Sequence, residues 1–181
     1  MRLQIEFPGI RFRRGSVEDI PATAVAYLAS VRGSYQGFLP DEYVDALSVD
    51  TRCEVMADRW EAHEESYRLL IAEDENVGVI GFIDYAFMES DNYDHDGHIF
   101  SFYFVPEFQR RGLGRELFLE CLRSMRREGY DSVTLDTFAN NPFRPFYEKM
   151  GGTVIGEMPR HKSNGLDEPG VVFGWTDLSA V

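Results

Sequence analysis

The sequence predicts an α/β (α+β) fold in which strands and helices alternate within one domain of residues 1–181. Some segments alternate apolar and polar residues as strands do, and others repeat apolar residues at helical spacing. These segments follow one another in the order β-α-α-β-β-β-α-β-α-β-β, and no linker, internal repeat or low-complexity tract interrupts them. A chain of 181 residues, 44% of them hydrophobic, is long enough to bury a full core as one domain.

Strand and helix patterns are clear in the first half of the chain. Residues 10–14 alternate apolar and polar side chains, as do residues 3–7 before them. Apolar residues at helical spacing predict the first helix, and Pro40 followed by two acidic residues indicates the start of the second. Gly78 and Gly81 indicate a bulge or a close contact in a later strand. We therefore predict strands at 10–14, 67–73 and 77–87 and helices at about 18–31 and 40–62, the second helix broken near 49–51.

The second half of the chain begins with an acidic loop, residues 89–97, and an apolar strand, residues 98–105. An amphipathic helix follows over 112–128, and Gly129 ends it. Its apolar face comprises Leu113, Leu117, Cys121, Leu122 and Met125. We predict a further strand at 132–137, a short helix from Arg144 to about Met150, and a closing hairpin of 152–157 with 171–176.

Charge and composition narrow the functional class. The net charge of −13 argues against nucleic acid as a partner, because a phosphate backbone requires a basic surface. It favours cationic acceptors, or serves solubility alone. No apolar run approaches the ~18 residues of a membrane span, and the first residues lack the apolar stretch of a signal peptide. We therefore expect a cytoplasmic protein without a membrane partner.

The two cysteines, Cys53 and Cys121, fall in separate predicted helices and form no CxxC pair. Two isolated thiols match neither a disulfide framework nor a zinc site. Cys121 lies on the apolar face of its helix, so we expect a buried structural thiol.

The segment QRRGLG, residues 109–114, joins the apolar strand to the amphipathic helix. Backbone N–H groups at a helix N-terminus are unpaired donors at the positive end of the helix dipole, so they suit phosphates. Glycines let a phosphate approach the backbone closely, and Arg110, Arg111 and Arg115 add positive charge. The segment matches neither a P-loop nor a GxGxxG fingerprint. It indicates a phosphate-bearing ligand, with a tight turn and a solvated basic helix end as the alternative.

The order of motifs around this turn resembles that of the GCN5-related N-acetyltransferase superfamily. Gln-x-x-Gly-x-Gly after Val-Pro resembles the acyl-CoA-binding motif of that family, and Asn140 followed by Tyr147 within FYEKMGG resembles its closing motif. The resemblance covers most of the chain. It implies a GNAT fold, which is a mixed sheet of about seven strands with helices on both faces, and it implies that strands four and five splay apart at the acyl-CoA site.

This resemblance implies an acetyl-CoA-dependent N-acetyltransferase that transfers the acetyl group directly to a primary amine. The acceptor would be a small cationic amine, or a protein N-terminus or lysine. The alternative is a non-catalytic acyl-CoA-binding sensor or partner-binding module of the same fold. A homodimer formed through sheet edges or the C-terminal strand is compatible with either function.

The resemblance also assigns residues to acetyl-CoA. The backbone of Phe104 and Val105 would pair with the pantetheine arm, and N–H groups between residues 110 and 115 would hold the pyrophosphate. The predicted acetyl-CoA-binding residues are Phe104, Val105, Gln109, Arg110, Arg111, Gly112, Leu113, Gly114, Arg115 and Asn140. The chain departs from the family pattern at Phe143, Pro145 and Gly152, which bears on the reach of Asn140.

Tyr147 is the predicted catalytic acid, because acetyl transfer expels a thiolate whose conjugate acid has a pKa of roughly 8.5. A tyrosine hydroxyl within reach of that sulfur can donate a proton; a core tyrosine beside Phe146 is the alternative. The acceptor ammonium, with a pKa near ~10, must lose a proton before it attacks. His98 is the candidate base, with Asp84 and Tyr85 as weaker candidates and an edge histidine without a catalytic role as the alternative.

Tyr35, Phe38 and Glu42 are the predicted acceptor-binding residues, because they lie where the family varies its acceptor pocket. Packing is the alternative role. Residues 92–97 carry a partial calcium-loop pattern, but its twelfth position is Tyr103 rather than a glutamate. We therefore predict an acidic hairpin there and no metal site.

Overall fold

A computed structural model describes residues 7–88, 94–163 and 166–180. Seven strands form one sheet: β1 (Ile10–Arg14), β2 (Arg68–Asp74), β3 (Gly78–Phe87), β4 (Gly97–Phe104), β5 (Val133–Phe138), β6 (Thr153–Ser163) and β7 (Leu166–Trp175). Their order across the sheet is β1-β2-β3-β4-β5-β7-β6. Neighbouring strands are antiparallel except β4 and β5, which run parallel, so the predicted mixed sheet is confirmed.

Five helices cover the two faces of this sheet: α1 (Ile20–Ser34), α2 (Asp41–Ala46), α3 (Val49–Ala62), α4 (Leu113–Arg127) and α5 (Arg144–Lys149). A core that includes Tyr27 of α1 and Met56 of α3 lies on one face, and a core that includes Leu117 of α4 and Tyr147 of α5 lies on the other. The apolar face predicted for α4 is buried throughout, including Cys121 as a free thiol. The break predicted near 49–51 lies just before α3, where the Ser48 hydroxyl accepts a hydrogen bond from the Thr51 N–H.

The parallel strands β4 and β5 pair over only three residues each. Their register is Gly97 with Val133, His98 with Thr134 and Ile99 with Leu135. Beyond these pairs, β4 continues to Phe104 and β5 to Phe138 without pairing to one another. A register shift against β3 leaves Phe100 as the extra residue of a bulge at the point where the two strands part. Because both strands continue past their last pair, a cleft opens between them, as the resemblance implied.

Gly81 shows why a glycine was needed in the third strand. A Cβ atom at Gly81 would lie 2.5 Å from the ring of Phe104 on β4. The register between β2 and β3 also shifts beside Gly81, which leaves Ile80 as an extra residue. Both the bulge and the close contact predicted for this strand are therefore confirmed.

The closing hairpin is longer than the sequence indicated. We predicted strands at 152–157 and 171–176, whereas β6 and β7 extend over Thr153–Ser163 and Leu166–Trp175. The additional segment contains Pro159, and the register of the two strands shifts between Met158 and His161. Proline donates no ladder hydrogen bond and is tolerated at such irregularities, which is why the alternation that marks a strand is weak there. Two further predictions, the strand of residues 3–7 and the loop of residues 89–97, lie largely outside the described residues.

Candidate functional site

A cavity of about 460 Å³ lies where β4 and β5 part. Four segments of the chain surround it: the end of α1, the second half of β4, the turn before α4, and the segment around α5. Its lining comprises Ser30, Ser34, Tyr35, Phe102, Tyr103, Phe104, Gln109, Arg110, Gly112, Gly114, Arg115, Pro142, Phe143, Pro145, Phe146, Tyr147 and Lys149. We call it the first cavity. Most of the residues that the sequence assigned to acetyl-CoA and to catalysis therefore surround one space.

The turn before α4 has the backbone that an anion site requires. Gly112 caps the helix with φ of 89°, and Arg110 two residues earlier has φ of 61°. Left-handed residues of this kind turn successive N–H groups toward one side, which creates a concave set of donors. The helix start has no side-chain cap, and the first intrahelical bond runs from the Glu116 N–H to the Gly112 carbonyl. The N–H groups of the first turn therefore remain available to a ligand.

The three arginines of this turn differ in their surroundings. Arg110 and Arg115 line the first cavity, and Arg115 also pairs with Glu116 at 2.9 Å. The Arg111 guanidinium lies over the ring of Phe108, 5.1 Å from its centre. Of the three, Arg110 and Arg115 are thus the better placed to meet a phosphate, and Arg111 has a packing role.

Phe104 and Val105 use their backbone groups differently. The Val105 N–H donates to the Ile80 carbonyl at 2.9 Å, and the Val105 carbonyl accepts from the Phe108 N–H at 3.0 Å. Because successive residues of a strand direct their backbone groups to opposite sides, those of Phe104 point away from β3; its carbonyl accepts from the Gln109 side chain, which leaves its N–H for the cleft. Phe104 is therefore better placed than Val105 to pair with a ligand chain.

The Gln109 side chain links the turn before α4 to two neighbouring segments of the cavity lining. Its side-chain amide donates to the Phe104 carbonyl at 2.7 Å and to the Ser34 hydroxyl at 2.8 Å. These two bonds join the turn before α4 to β4 and to the end of α1. The prediction that Gln109 binds acetyl-CoA directly stays a prediction, and its contacts within the chain hold the cavity wall together.

Tyr147 lies on α5 with 7% of its surface exposed, and it lines the first cavity. Its ring packs against Phe118, Phe146 and Phe173. Burial raises the pKa of its hydroxyl above the ordinary value, and electrostatic interactions with Tyr35 and Asp136 add to this effect. The hydroxyl therefore stays protonated at neutral pH, which a hydrogen-bond donor to a thiolate requires.

The departures from the family pattern near α5 are compensated in the structure. Pro145 occupies the first turn of α5, where proline is tolerated. Trp175 of β7 fills the space beside Gly152 that a side chain at this position would occupy. A Cβ atom at Gly152 would lie 2.6 Å from the indole ring. The indole N–H donates to the Met150 carbonyl at 2.9 Å, which ties the end of α5 to the sheet. Phe143 packs against Tyr35 and lines the first cavity.

The two asparagines before α5 lie in different environments. Asn140 is exposed and lines another cavity, described below, rather than the first one. Asn141 is 6% exposed; its amide donates to the Thr137 hydroxyl at 2.7 Å and its carbonyl oxygen accepts from the Phe143 N–H at 2.8 Å. Tyr35 also hydrogen-bonds to Asn141, while burial raises the pKa of Tyr35 to about 12. Sequence reasoning missed Asn141, because motif spacing alone selected its neighbour.

A second cavity, of about 470 Å³, lies between the α1–α2 loop, the end of β5 and the start of β7. Its lining comprises Gly37, Phe38, Leu39, Pro40, Asp41, Phe138, Asn140, Leu166 and Glu168. Tyr35 lines the first cavity, and its ring contacts that of Phe38 at 5.7 Å between centres. Phe38 in turn contacts Phe138 at 6.2 Å. An aromatic wall thus separates the two cavities.

The predicted acceptor residues fall on this wall or beside it. Tyr35 and Phe38 form it, whereas Glu42 is exposed on α2 and is not part of either lining. Asp41, immediately before Glu42, does line the second cavity, together with Glu168. The sequence carried no signal for Glu168, because that part of the hairpin did not read as a strand.

His98 is held between the two parallel strands. Its Nδ1 atom is 2.9 Å from the Thr134 hydroxyl, and its Nε2 atom is 2.9 Å from a carboxylate oxygen of Asp136. The His98 side chain is 13% exposed and that of Asp136 is 27% exposed. Asp136 was not selected by sequence reasoning, and its position opposite His98 depends on the strand register.

Asp84 and Tyr85, the weaker candidate bases, are fully buried. Asp84 accepts a hydrogen bond from the Tyr67 hydroxyl at 2.7 Å and lies 3.4 Å from Arg59. Ser101 accepts from Arg52 at 2.7 Å and from Arg59 at 3.0 Å, so a polar network lies between α3 and the sheet. Both side chains thus lie in the interior rather than in the cleft.

The described residues contain no cluster of three or more histidine, cysteine or acidic side chains placed to hold a metal ion. Within the calcium-like segment, Asp96 accepts hydrogen bonds from the backbone N–H groups of Asp131 and Ser132 at 2.8 and 3.1 Å. Asn92 and Tyr93 of that segment lie outside the described residues. None of the helices in the described ranges combines the length and apolar character that crossing a membrane requires.

Comparison with known proteins gives a consistent result. Residues 30–152 match the model of the acetyltransferase (GNAT) family. An uncharacterized N-acetyltransferase, YuaI, from Bacillus subtilis (strain 168) is 26% identical over 172 residues, which are 95% of this chain and 96% of that protein. The phosphinothricin N-acetyltransferase of Streptomyces viridochromogenes is 31% identical over 152 residues, which are 80% of this chain and 79% of the relative.

Solved structures share the fold. PaiA N-acetyltransferase from Thermoplasma acidophilum, in complex with coenzyme A, superimposes with a TM-score of 0.67 at 22% identity and covers 91% of this chain and 97% of its own. YncA of Salmonella typhimurium, a putative acetyltransferase with its cofactor acetyl-CoA, gives a TM-score of 0.66 at 20% identity, covering 94% and 95%. The seven-stranded sheet with its parting parallel pair is therefore a known architecture.

Proposed function

This chain belongs to the acetyltransferase (GNAT) family, and on that premise we propose that it transfers the acetyl group of acetyl-CoA to the primary amine of a small cationic acceptor. It is an N-acetyltransferase. The observation that supports this proposal best is one cavity, at the parting of β4 and β5, that is lined by both Tyr147 and the turn before α4.

The residues around the first cavity suit acetyl-CoA as the acetyl donor. The first-turn N–H groups of α4, with Arg110 and Arg115, present donors and positive charge to a pyrophosphate. The backbone N–H of Phe104 offers a hydrogen-bond donor to the pantetheine arm, whose amides require partners along their length. Relatives of the same fold bind coenzyme A and acetyl-CoA, which supports this use of the cavity.

The reaction needs no nucleophile from the protein. The acceptor ammonium loses one proton, and its nitrogen attacks the thioester carbonyl carbon, so a C–N bond forms. The C–S bond then breaks and leaves its electron pair on sulfur. The Tyr147 hydroxyl, kept protonated by its raised pKa, donates a hydrogen bond that stabilises the thiolate as it forms.

The second cavity supports a cationic acceptor. Asp41 and Glu168 bring two carboxylates to its lining, and Phe38 and Phe138 provide aromatic surface. Carboxylates attract an ammonium group, and aromatic faces stabilise cations through their quadrupoles. The net charge of −13 also raises the local concentration of such acceptors. Tyr35 lines the first cavity and Phe38 lines the second, so the acceptor amine would pass these two rings to reach the thioester.

The first experiment measures thiol release from acetyl-CoA with a panel of amines. The panel contains polyamines, aminoglycosides, amino acids and short peptides, together with phosphinothricin, after which one relative is named. With an acceptor that is acetylated, Tyr147→Phe should lower kcat about 10²-fold, because general acid catalysis contributes roughly that much. Its affinity for acetyl-CoA, measured by calorimetry, should stay within about 3-fold of the original, because the ring is retained.

Tyr130→Phe is the matched control, because Tyr130 is also 7% exposed but lies away from both linings. It should retain full turnover. Equal losses in the two variants would show that Tyr147 acts through packing alone. Failure to bind acetyl-CoA at all would contradict the proposed function itself.

The acceptor site is tested by neutralising its carboxylates. Asp41→Asn and Glu168→Gln should each raise KM for a cationic acceptor about 3- to 10-fold, since a partly exposed ion pair contributes about 1 kcal/mol. Glu42→Gln tests the residue that the sequence selected instead. Glu54→Gln, an exposed carboxylate on α3, is the control. An effect of Glu42→Gln alone would place the acceptor on α2 rather than in the second cavity.

Two further parts of the proposal concern assembly and location. The edge strands of the described sheet, β1 and β6, leave backbone groups available for a homodimer; light scattering of the purified protein tests this. Cys53 and Cys121 are free thiols, which suits the reducing cytoplasm. Cell fractionation tests the location.

A further inference from the structure

Both ring nitrogens of His98 have partners within the chain. Nε2 lies 2.9 Å from the Asp136 carboxylate, which accepts a hydrogen bond from it, so Nε2 carries a proton. Nδ1 lies 2.9 Å from the Thr134 hydroxyl, which also lies 3.3 Å from the Gly97 carbonyl. With both nitrogens engaged, His98 has no site left at which to take a proton directly from an acceptor. The carboxylate of Asp136, its partner at Nε2, is therefore the candidate proton acceptor.

Asp136 is the first residue of β5 beyond the last pair with β4. The register ends at Ile99 with Leu135, so Asp136 begins the segment that borders the cleft. Its side chain is 27% exposed, whereas the paired residues before it, Val133, Thr134 and Leu135, are buried. The carboxylate is thus at the parting of the strands, where the thioester of an acyl-CoA would meet an amine.

Two observations link Asp136 to both cavities. Side chains two residues apart on a strand share a face, so Asp136 lies on the same face of β5 as Phe138, which lines the second cavity. The charge of Asp136 also contributes to the raised pKa of Tyr147, which lines the first cavity. Asp136 lines neither cavity itself, but it lies at the end of the β4–β5 ladder, on the face of β5 that continues to the proposed acceptor site.

We infer that Asp136 accepts the proton that the acceptor ammonium loses, and that His98 is a positioning residue which holds the carboxylate through Nε2–H. This inference rests on the proposed function. It assigns the base to a residue that no motif identifies.

The proton balance is complete without any further reactant. One N–H bond of the ammonium breaks, an O–H bond forms on Asp136, and the freed electron pair forms the C–N bond. The nitrogen then loses a second proton, which ends on the thiolate sulfur that the Tyr147 hydroxyl has stabilised. Asp136 releases its proton to water, so one acetyl-CoA and one ammonium yield one amide, one CoA thiol and one proton.

The pKa gap between a carboxylate and an alkyl ammonium narrows when water is excluded. Desolvation disfavours both charged forms, so it raises the pKa of the carboxyl and lowers that of the ammonium. The described titratable groups that face this pair are His98 on β4, Tyr147 on α5, and Arg59 and His63 of the α3 end, which both lie against Phe100. Val172, the β7 partner of Asp136, is apolar.

The test compares Asp136→Asn with the original protein on acceptors whose ammonium pKa values differ. Asparagine keeps the shape and an oxygen for the His98 N–H, so the fold and the calorimetric affinity for acetyl-CoA should be unchanged. We expect kcat/KM to fall about 10²- to 10³-fold at pH 7. The loss should shrink as pH rises, and it should be smaller for acceptors of low ammonium pKa, which deliver the free amine without a base.

His98→Gln should reproduce a smaller loss, about 10-fold, with the same dependence on acceptor pKa. Thr134→Val, which removes only the Nδ1 partner, is the milder comparison. A loss in Asp136→Asn that is equal at every pH and for every acceptor would overturn the inference, and so would full activity. Absence of turnover by the original protein on all acceptors would instead contradict the proposed function and this inference with it.

Discussion

Replacing Gly114 by alanine should affect the stability of α4 and its binding of a ligand in different ways. Gly114 is the second residue of the helix and lines the first cavity. A Cβ atom there would lie 3.4 Å from the Phe102 ring and 3.8 Å from the Phe104 ring, so the protein itself accommodates a methyl group. The methyl group would, however, occupy the side of the turn that faces the cavity.

The two consequences have opposite signs. Alanine in place of glycine within a helix stabilises by about 0.5–1 kcal/mol, which raises Tm by roughly 1–4 °C for a chain of this size. Displacing a phosphate from one charge-assisted N–H bond costs about 1.5–3 kcal/mol, which corresponds to about 10- to 100-fold in affinity. We therefore expect a more heat-stable protein that binds coenzyme A more weakly.

Thermal denaturation and calorimetry with coenzyme A measure the two quantities on the same sample. Gly112→Ala and Gly129→Ala are the comparisons, because their φ angles of 89° and 95° are both costly for alanine. Each should lose about 1–2 kcal/mol of stability, but only Gly112→Ala should also weaken binding. Unchanged affinity in Gly114→Ala would refute the assignment of the turn to the phosphates, and a lower Tm would refute the helix argument.

Two predictions concern the scaffold. The Asp19 carboxylate accepts hydrogen bonds from Arg13, which lowers its pKa from 3.8 to about 2. The contribution of this pair to the free energy of unfolding is therefore complete above pH ~4 and should vanish as the pH falls to about 2. Urea denaturation of Asp19→Asn should accordingly differ from the original protein at pH 5 but not near pH 2, and a constant difference would contradict this. Asp84→Asn should lower the free energy of unfolding by about 2–4 kcal/mol, because Arg59 then loses its buried countercharge. An unchanged urea midpoint would show that the network under α3 is neutral in energy.

The elements that the sequence predicted well are those in which apolar side chains recur at regular spacing because one face of the element is buried. The predicted apolar face of α4, from Leu113 to Met125, is buried along its length because the helix lies flat on the sheet. A side chain that packs against a core must recur with the period of its backbone, so the sequence records the contact. The same reasoning located β1 to β5 to within about two residues.

The outer part of the hairpin of β6 and β7 lacks such a regular pattern of apolar side chains. Between Met158 and His161 the register of the two strands shifts, so the backbone ladder is irregular there. Backbone pairing places no periodic demand on side chains, so a segment with Pro159 and Pro169 did not resemble a strand. Glu168 was missed with it, although Glu168 contributes to the lining of the second cavity.

The pairing of His98 with Asp136 illustrates what motif reasoning cannot reach. The two residues are far apart in the chain, and their contact depends on a ladder of three residue pairs between β4 and β5. A slip of one residue would move the Asp136 side chain to the opposite face of the sheet and break the contact. The same short ladder is what lets the strands part after Ile99 and opens the cleft. The opening of the site and the position of its carboxylate are therefore set together, and testing Asp136 also tests the register.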